Sequence, residues 1–410
     1  MLLILIAFYA VNVPLLDDWE LVPIFQHLHA GHFLWSDFWH QHNEHRILFP
    51  NLFLVGLAVL DHWNIIVECF CSFGFAVFSF WILTKTAVNG GIKSLSLLIC
   101  LSLVFFSPLQ AENWLWGWQI EWFMNVLGVV AVIFGLSETK NRQVGFGALL
   151  LMIGGGILAQ LSLGNGTLIW PLMLMALMYK RIDIKGLLLV LISGLSSTTL
   201  YFWNYISSDS KSFKFGAHHP IALLHYVLLY LGHSLSFYHK PAIVVGAFLI
   251  CTFVGLSTYI FIIQRKVFAQ LVPWIVLGLY AIFSSIITAF GRINLGVNEA
   301  FSSRYTTVSS LLLISIIVII YQSRHILHDL LTLKMNYIGN LAILVCLALI
   351  LSNWTWGVHS MYVHSREQLD IKGCTSQMMP TNDCLIKTYP NADVVRSRLL
   401  YVKSIGWGGY

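Results

Sequence analysis

The sequence predicts an all-α integral membrane protein: about 11 transmembrane helices, two short helices on the outer face and a small C-terminal outer tail. Three observations predict it. Of 410 residues, 58% are hydrophobic and only 10% charged, where soluble chains carry about 25%. The apolar residues fall into repeated runs near the roughly 20 residues that a helix needs to cross a bilayer. Lys and Arg gather in alternate loops between those runs, the bias that marks cytoplasmic loops. The formal net charge of +5 points to no nucleic-acid partner, because the basic residues are scattered and form no patch.

The first run, 2–14, is short for a span. It lacks a basic leading region and a small-residue cleavage site, which argues against a removed signal peptide. Residues 15–46 form a polar loop rich in His and Trp. The stretch 47–60 is apolar but short, whereas 63–84 is long enough to cross. Further spans are expected at 94–110, 120–137, 144–161, 165–179, 186–206, 241–263, 269–289, 305–321 and 337–353. A second short stretch lies at 221–237. With both short stretches on the outer face, Lys85, Lys93, Lys180, Arg181, Lys185, Arg265, Lys266 and Arg324 fall on one side, with Lys140, Arg142 and Lys334. That side is then cytoplasmic, with the N-terminus inside and the C-terminus outside. The domain reading is a multi-span unit over 1–353, with first outer loop 15–46, and an extracytoplasmic tail over 354–410.

Polar chemistry concentrates on the outer side. Asp17 and Asp18 stand side by side at the start of the first loop. Adjacent carboxylates can ligate a hard divalent cation, or one can act as a base tuned by burial; a solvated helix terminus is the plain alternative. The stretch 27–50 holds six His among Asp37, Glu44 and Arg46. His42 and His45 are three apart, so a helix would put them on one face, and a His-rich tract can bind zinc. The spacing matches no closed zinc motif. His45 and Arg46 also suit an anionic or hydroxylated ligand, since guanidinium donates two parallel bonds to phosphate.

The second outer loop, 111–123, crowds Trp114, Trp116, Trp118 and Trp122 around Glu112 and Glu121. An interfacial aromatic belt explains such residues. So does a sugar platform, with rings stacking on the sugar and carboxylates accepting hydroxyls. Residues 290–307 join two apolar runs and carry Arg292, Glu299, Arg304 and Tyr305. A lipid phosphate is one partner for Arg at a span end, and Glu299 is the other. Of seven cysteines, Cys374 and Cys384 lie in the polar tail and can form a disulfide in an oxidising compartment.

This layout resembles the polytopic, C-type glycosyltransferases that use a polyprenyl-phosphate-linked sugar. The resemblance rests on the acidic pair Asp17-Asp18 after the first span and on a long first outer loop ending in the short helix HRILFPNLFLVGLAVL, His45 to Leu60. It also rests on a span count of about 10 to 13 and a small outer domain after the last span. It implies that Asp17 or Asp18 is the catalytic base or a ligand of a divalent metal ion, with His42 and His45 as further ligands. From their position, Arg292 and Arg304 would hold the lipid phosphate. A saccharide, lipid or protein would be the acceptor, at the outer face of a bacterial inner membrane. Two other functions share these features: a transporter or flippase of a lipid-linked saccharide, for which Gly154-Gly155-Gly156 would break a helix, and a surface-polysaccharide polymerase.

Overall fold

The computed structural model describes residues 1–139, 143–206, 210–324, 326 and 335–410. Among them the protein is helical, and His42 and His45 form an isolated antiparallel bridge. In chain order the helices are α1 (Leu2–Tyr9), α2 (Val22–His29), α3 (Trp35–Trp39), α4 (Leu48–Asp61), α5 (Ile65–Asn89), α6 (Leu95–Phe105) and α7 (Ala111–Leu115). Next come α8 (Ile120–Ser137), α9 (Phe146–Gln160), α10 (Ile169–Tyr179), α11 (Ile184–Phe202), α12 (Ser210–His218) and α13 (Pro220–Gly232). The last are α14 (His239–Ile263), α15 (Arg265–Arg292), α16 (Thr306–Gln322), α17 (Met335–Thr375), α18 (Asn382–Thr388) and α19 (Ala392–Ile405).

Six stretches among the described residues are long and apolar enough to cross a membrane: Ile65–Asn89, Gly117–Ser137, Ile184–Phe202, His239–Ile263, Arg265–Leu295 and Ser303–Gln322. This makes the chain an integral membrane protein. Other expected spans are shorter than the sequence suggested. The 94–110 segment yields only the 11 residues of α6, because Pro108 excludes a helical Ser107 before it. The 165–179 segment splits into a 3-10 turn, Gly164–Leu168, and the 11-residue α10. The first run gives an eight-residue helix. The boundary expected between 353 and 354 falls inside α17, a continuous helix of 41 residues.

α8 is the axis of the bundle. In its span 89% of the most apolar window is buried, against 22% for those of α11 and α14, so α8 is surrounded by protein while α11 and α14 present apolar faces outward. Close packing comes from small residues. A Cβ at Gly128 would fall 2.5 Å from the Gly155 carbonyl oxygen, and one at Gly155 would fall 2.6 Å from that of Gly128. The Gly154-Gly155-Gly156 run therefore does not break its helix; α9 continues through it, with Gly155 against α8 and Gly156 against Trp170.

Local signals fix several ends. Asn64 caps α5 through its side-chain oxygen, which accepts from the Ile66 N–H at 3.1 Å. Ser94 and Asp183 cap α6 and α11 in the same way. The tail folds back onto the first loop. Arg398 of α19 donates to both oxygens of Glu20, at 2.9 and 3.3 Å, and the Tyr389 hydroxyl donates to the same carboxylate at 2.6 Å. Burial of Glu20 opposes its ionisation, but these two donors and the Arg398 charge outweigh it and hold the carboxyl below its usual range. Trp407 packs on Phe25 at 5.2 Å. Cys374 and Cys384 are disulfide-bonded, with Cα atoms 6.0 Å apart, tying α18 to the end of α17.

Candidate active site

One end of the bundle encloses a cavity of about 510 Å³. Its wall takes residues from four distant parts of the chain: Asp17, His42, Glu44 and His45 of the first loop; Trp118, Glu121 and Trp122; Tyr201 and Tyr205; and Arg292, Arg304 and Tyr305.

The acidic pair divides between cavity and core. Asp17 and Asp18 lie on a 3-10 helix, Leu16–Leu21. With three residues per turn, neighbours point about 120° apart. Asp17 turns to the cavity, its side chain 32% exposed and 3.5 Å from His42 Nε2. Asp18 turns inward and is fully buried. Its Oδ2 accepts from the Leu15 N–H at 2.9 Å and from Trp116 Nε1 at 3.1 Å. Burial pushes the Asp18 carboxyl up to about 8; the Leu15 bond lowers it and the Asp17 charge raises it further. Asp18 is held in the core by these two donors, so of the acidic pair only Asp17 lines the cavity. Behind Asp18 lies the buried Glu68 of α5, packed against Gly117.

His42 and His45 do not share a helix face. They close a tight turn, His42 N–H to His45 O and His45 N–H to His42 O, both at 2.8 Å. Asn43 takes the left-handed conformation, φ +47°, which Asn tolerates better than most residues. The turn aims Glu44 at Arg292, 3.3 Å away, and sets the His42 ring against Trp118 in a tilted contact, centroids 5.0 Å apart. Burial would lower the His42 pKa, but the hydrogen bond and charge of Asp17 outweigh it, helped by Glu121 and Glu20, and the imidazole is raised. His45 is the opposite case: burial first, then the Arg292 charge, lowers it to about 3, so it stays neutral. It packs so close to Gly164 that a Cβ there would fall 2.5 Å from its Nδ1.

Arg46 lies outside the cavity. Its Nε donates to Tyr201 O at 2.8 Å, Nη1 to Trp39 O at 2.6 Å and Nη2 to Trp203 O at 2.7 Å. Two of these are carbonyls at the end of α11, which otherwise lack helical partners. Arg46 thus pins the first loop to α11 and is a structural residue rather than a ligand-binding one. Glu112 is also absent from the cavity wall. It accepts from Ser302 Oγ at 3.0 Å, its backbone N–H donates to Ser303 Oγ at 3.1 Å, and it lies 4.0 Å from Arg304 Nε. Glu299 pairs with Arg304 Nη2. These two carboxylates position Arg304 from behind. Trp114 and Trp116 belong to the core: Trp114 donates to Ser107 O at 3.0 Å and stacks on Phe123 at 4.6 Å, and Trp116 serves Asp18.

The same lining is rich in unsatisfied donors. Arg304 Nε, the Tyr305 hydroxyl and Trp122 Nε1 are buried and have no hydrogen-bond partner, although buried donors are normally paired. Together with the Arg292 guanidinium they form an acceptor-seeking, cationic corner. Phe202, Phe213, Ile287 and Phe290 make the cavity's apolar flank. The proposed metal ligands do not converge. Asp18 is turned away, His45 is wedged against Gly164, and among the described residues no group of three or more His, Cys, Asp or Glu is placed to hold an ion. The donor set does not fit a divalent metal, and no chemical step is routed through one.

Sequence reasoning missed Tyr201, Tyr205, Asn165 and Thr288 as site residues. Tyr201 and Thr288 lie in apolar helices and Asn165 and Tyr205 in connections, and the packing of distant segments brings them to the wall; Asn165 donates to Thr288 Oγ1 at 3.1 Å. Trp118 and Trp122 carried a signal, the Trp density of 111–123, but sequence alone did not separate them from Trp114 and Trp116. Compared with family models, curated proteins and solved structures, the chain matches none.

Proposed function

We propose that the protein is a membrane glycosyltransferase. It moves a sugar from a polyprenyl-phosphate donor to a saccharide, lipid or protein acceptor at the extracytoplasmic face of an inner membrane, within a bundle of about 11 spans. The observation that carries the reading is the cavity that gathers Asp17 and His42 with Arg292, Arg304 and unpaired buried donors in one lining.

In this reading the lipid phosphate lies against Arg292 and Arg304, with Tyr305 and Trp122 donating to its oxygens. The apolar flank takes the first carbons of the lipid. The acceptor hydroxyl oxygen attacks the anomeric carbon from the Asp17 side, and the bond from that carbon to the phosphate oxygen breaks, inverting the centre. The hydroxyl proton passes to the Asp17 carboxylate, and the lipid phosphate leaves as an anion beside the guanidiniums. Fixed donors facing a developing anion commonly supply the largest part of such catalysis. His42, its Nε2 3.5 Å from the Asp17 carboxylate, keeps Asp17 oriented.

Purified protein in lipid nanodiscs, assayed with a panel of polyprenyl-phosphate sugars, tests the proposal. Transfer by the wild type should fall by about a hundredfold or more in Asp17→Asn and in Arg304→Gln. Absence of transfer with every donor, or undiminished transfer in both variants, rejects it. A lipid-linked-saccharide flippase is the second reading, favoured by a polar vestibule at the other end of the same helices. The solid Gly128–Gly155 packing between the two ends supports the enzyme.

A further inference from the structure

The end of the bundle opposite the candidate active site holds a larger hollow, about 1490 Å³, built from the other ends of the same helices. Its wall takes Asn89 at the end of α5, Glu138 and Thr139 after α8, Lys180 and Arg181 after α10, Arg265, Lys266 and Gln270 from the start of α15, and Gln322 closing α16. From Gln270 to Arg292 along α15 is about 33 Å at 1.5 Å per residue, close to the roughly 30 Å of a bilayer's hydrocarbon core. The two polar hollows therefore sit at opposite membrane surfaces.

The charge in this second hollow is one-sided. Four cations face one carboxylate, Glu138, which already accepts from Asn89 Nδ2 at 3.1 Å. Lys180 is accounted for: its Nζ donates to Leu136 O and Thr139 Oγ1, both at 2.5 Å, closing the end of α8. The other three are not. Among the described residues Arg181, Arg265 and Lys266 form no ion pair with a carboxylate. Arg265 is preorganised, with its guanidinium carbon 3.8 Å from the Phe261 ring centroid, a stack that leaves the edge N–H donors free. Scattered loop cations would satisfy the topology bias alone. Here they converge on one concavity with polar amides, where low-dielectric walls focus their field.

We propose that this vestibule is a phosphate-binding site in which Arg181, Arg265 and Lys266 hold the headgroup of an anionic lipid or a free phosphate compound at the surface opposite the cavity. Both sources present the same oxyanion, and guanidinium and ammonium donors recognise either.

The test uses the full-length protein. Native mass spectrometry and thermal unfolding are run in phosphatidylcholine nanodiscs with and without phosphatidylglycerol, and separately with added inorganic phosphate or pyrophosphate. Phosphatidylglycerol, the soluble anions or both should bind and raise the melting temperature; which arm responds identifies the source. Binding should weaken roughly tenfold in Arg265→Gln/Lys266→Gln and in Arg181→Gln. It should be unchanged in Lys85→Gln, whose ammonium lies over Trp81 outside the vestibule. Equal binding by all variants, or no response to any anion, overturns the proposal. Activity at the other hollow is not the readout, so the outcome is independent of the glycosyltransferase reading.

Discussion

Gly117→Ala should destabilise the protein through one side chain, Glu68. A Cβ at position 117 would fall 1.8 Å from Glu68 Oε2 and 3.0 Å from its Cβ and Cδ. Ordinary contact needs more than 3 Å, so the carboxyl must move by about 1.5 Å. Glu68 is only 1% exposed, so the shift has to be taken up within the protein interior. Overpacking of this kind costs about 1–3 kcal/mol. The middle of that range is about a thirtyfold change in the folding equilibrium. Gly117 does not occupy a left-handed conformation, so Ala brings no backbone strain there. By restricting the unfolded chain it should add about 0.4–1 kcal/mol of stability. The two effects separate in a double-mutant cycle with Glu68→Ala. In that background the Oε2 clash is gone and only the 3.0 Å approach to the Cβ at position 68 remains, so Gly117→Ala should cost markedly less, whatever Glu68→Ala does alone. Chemical unfolding of the full chain, followed by Trp fluorescence, measures each corner. An equal cost of Gly117→Ala in both backgrounds refutes the argument. The same clash should displace Trp118 at the cavity wall and reduce any transfer activity in step with the loss of stability.

Asp18, with its carboxyl raised to about 8 by burial, should make the fold sensitive to alkali. A folded-state value above the unfolded 3.8 means its stabilising contribution is complete below about pH 4 and is lost as pH rises through about 8. Asp18→Asn keeps an acceptor for Leu15 and Trp116, so it should flatten the fall in melting temperature between about pH 5 and 8; an unchanged slope counts against a raised Asp18 carboxyl. His42 should titrate above its ordinary 6.5 in carbon-13 histidine spectra, with its midpoint falling in Asp17→Asn. For this base the ion-pair stabilisation is full below 6.5 and disappears as pH rises through the raised value; a midpoint indifferent to Asp17→Asn would break the proposed pairing. Arg46→Lys should cost about 2–4 kcal/mol, because one ammonium cannot reach all three carbonyls held by the guanidinium. Its denaturation midpoint, compared with that of Arg398→Lys at the tail clamp, should show the larger loss.

The sequence alone determined that the chain is helical and lives in a bilayer, because apolar runs and scarce charge are one-dimensional properties that any fold of this chain must honour. It also pointed to the right regions for the cavity. Asp17, His42, His45, Glu121, Arg292, Arg304 and Tyr305 are polar groups in an apolar chain, where each is conspicuous. Which partner each would meet was not written there. Asp17 and Asp18 are chemically identical neighbours, and only the 3-10 turn sends one to the cavity and the other to Trp116. Arg46 and Arg292 both read as anion ligands. The first became structural because the end of α11, some 155 residues later, offers it two bare carbonyls. The His42–His45 pair matched a helix by spacing, but a left-handed Asn43 and two cross-turn hydrogen bonds gave a hairpin. Contacts between distant segments decide such matters, and the sequence carries them only through the folded packing of the whole bundle.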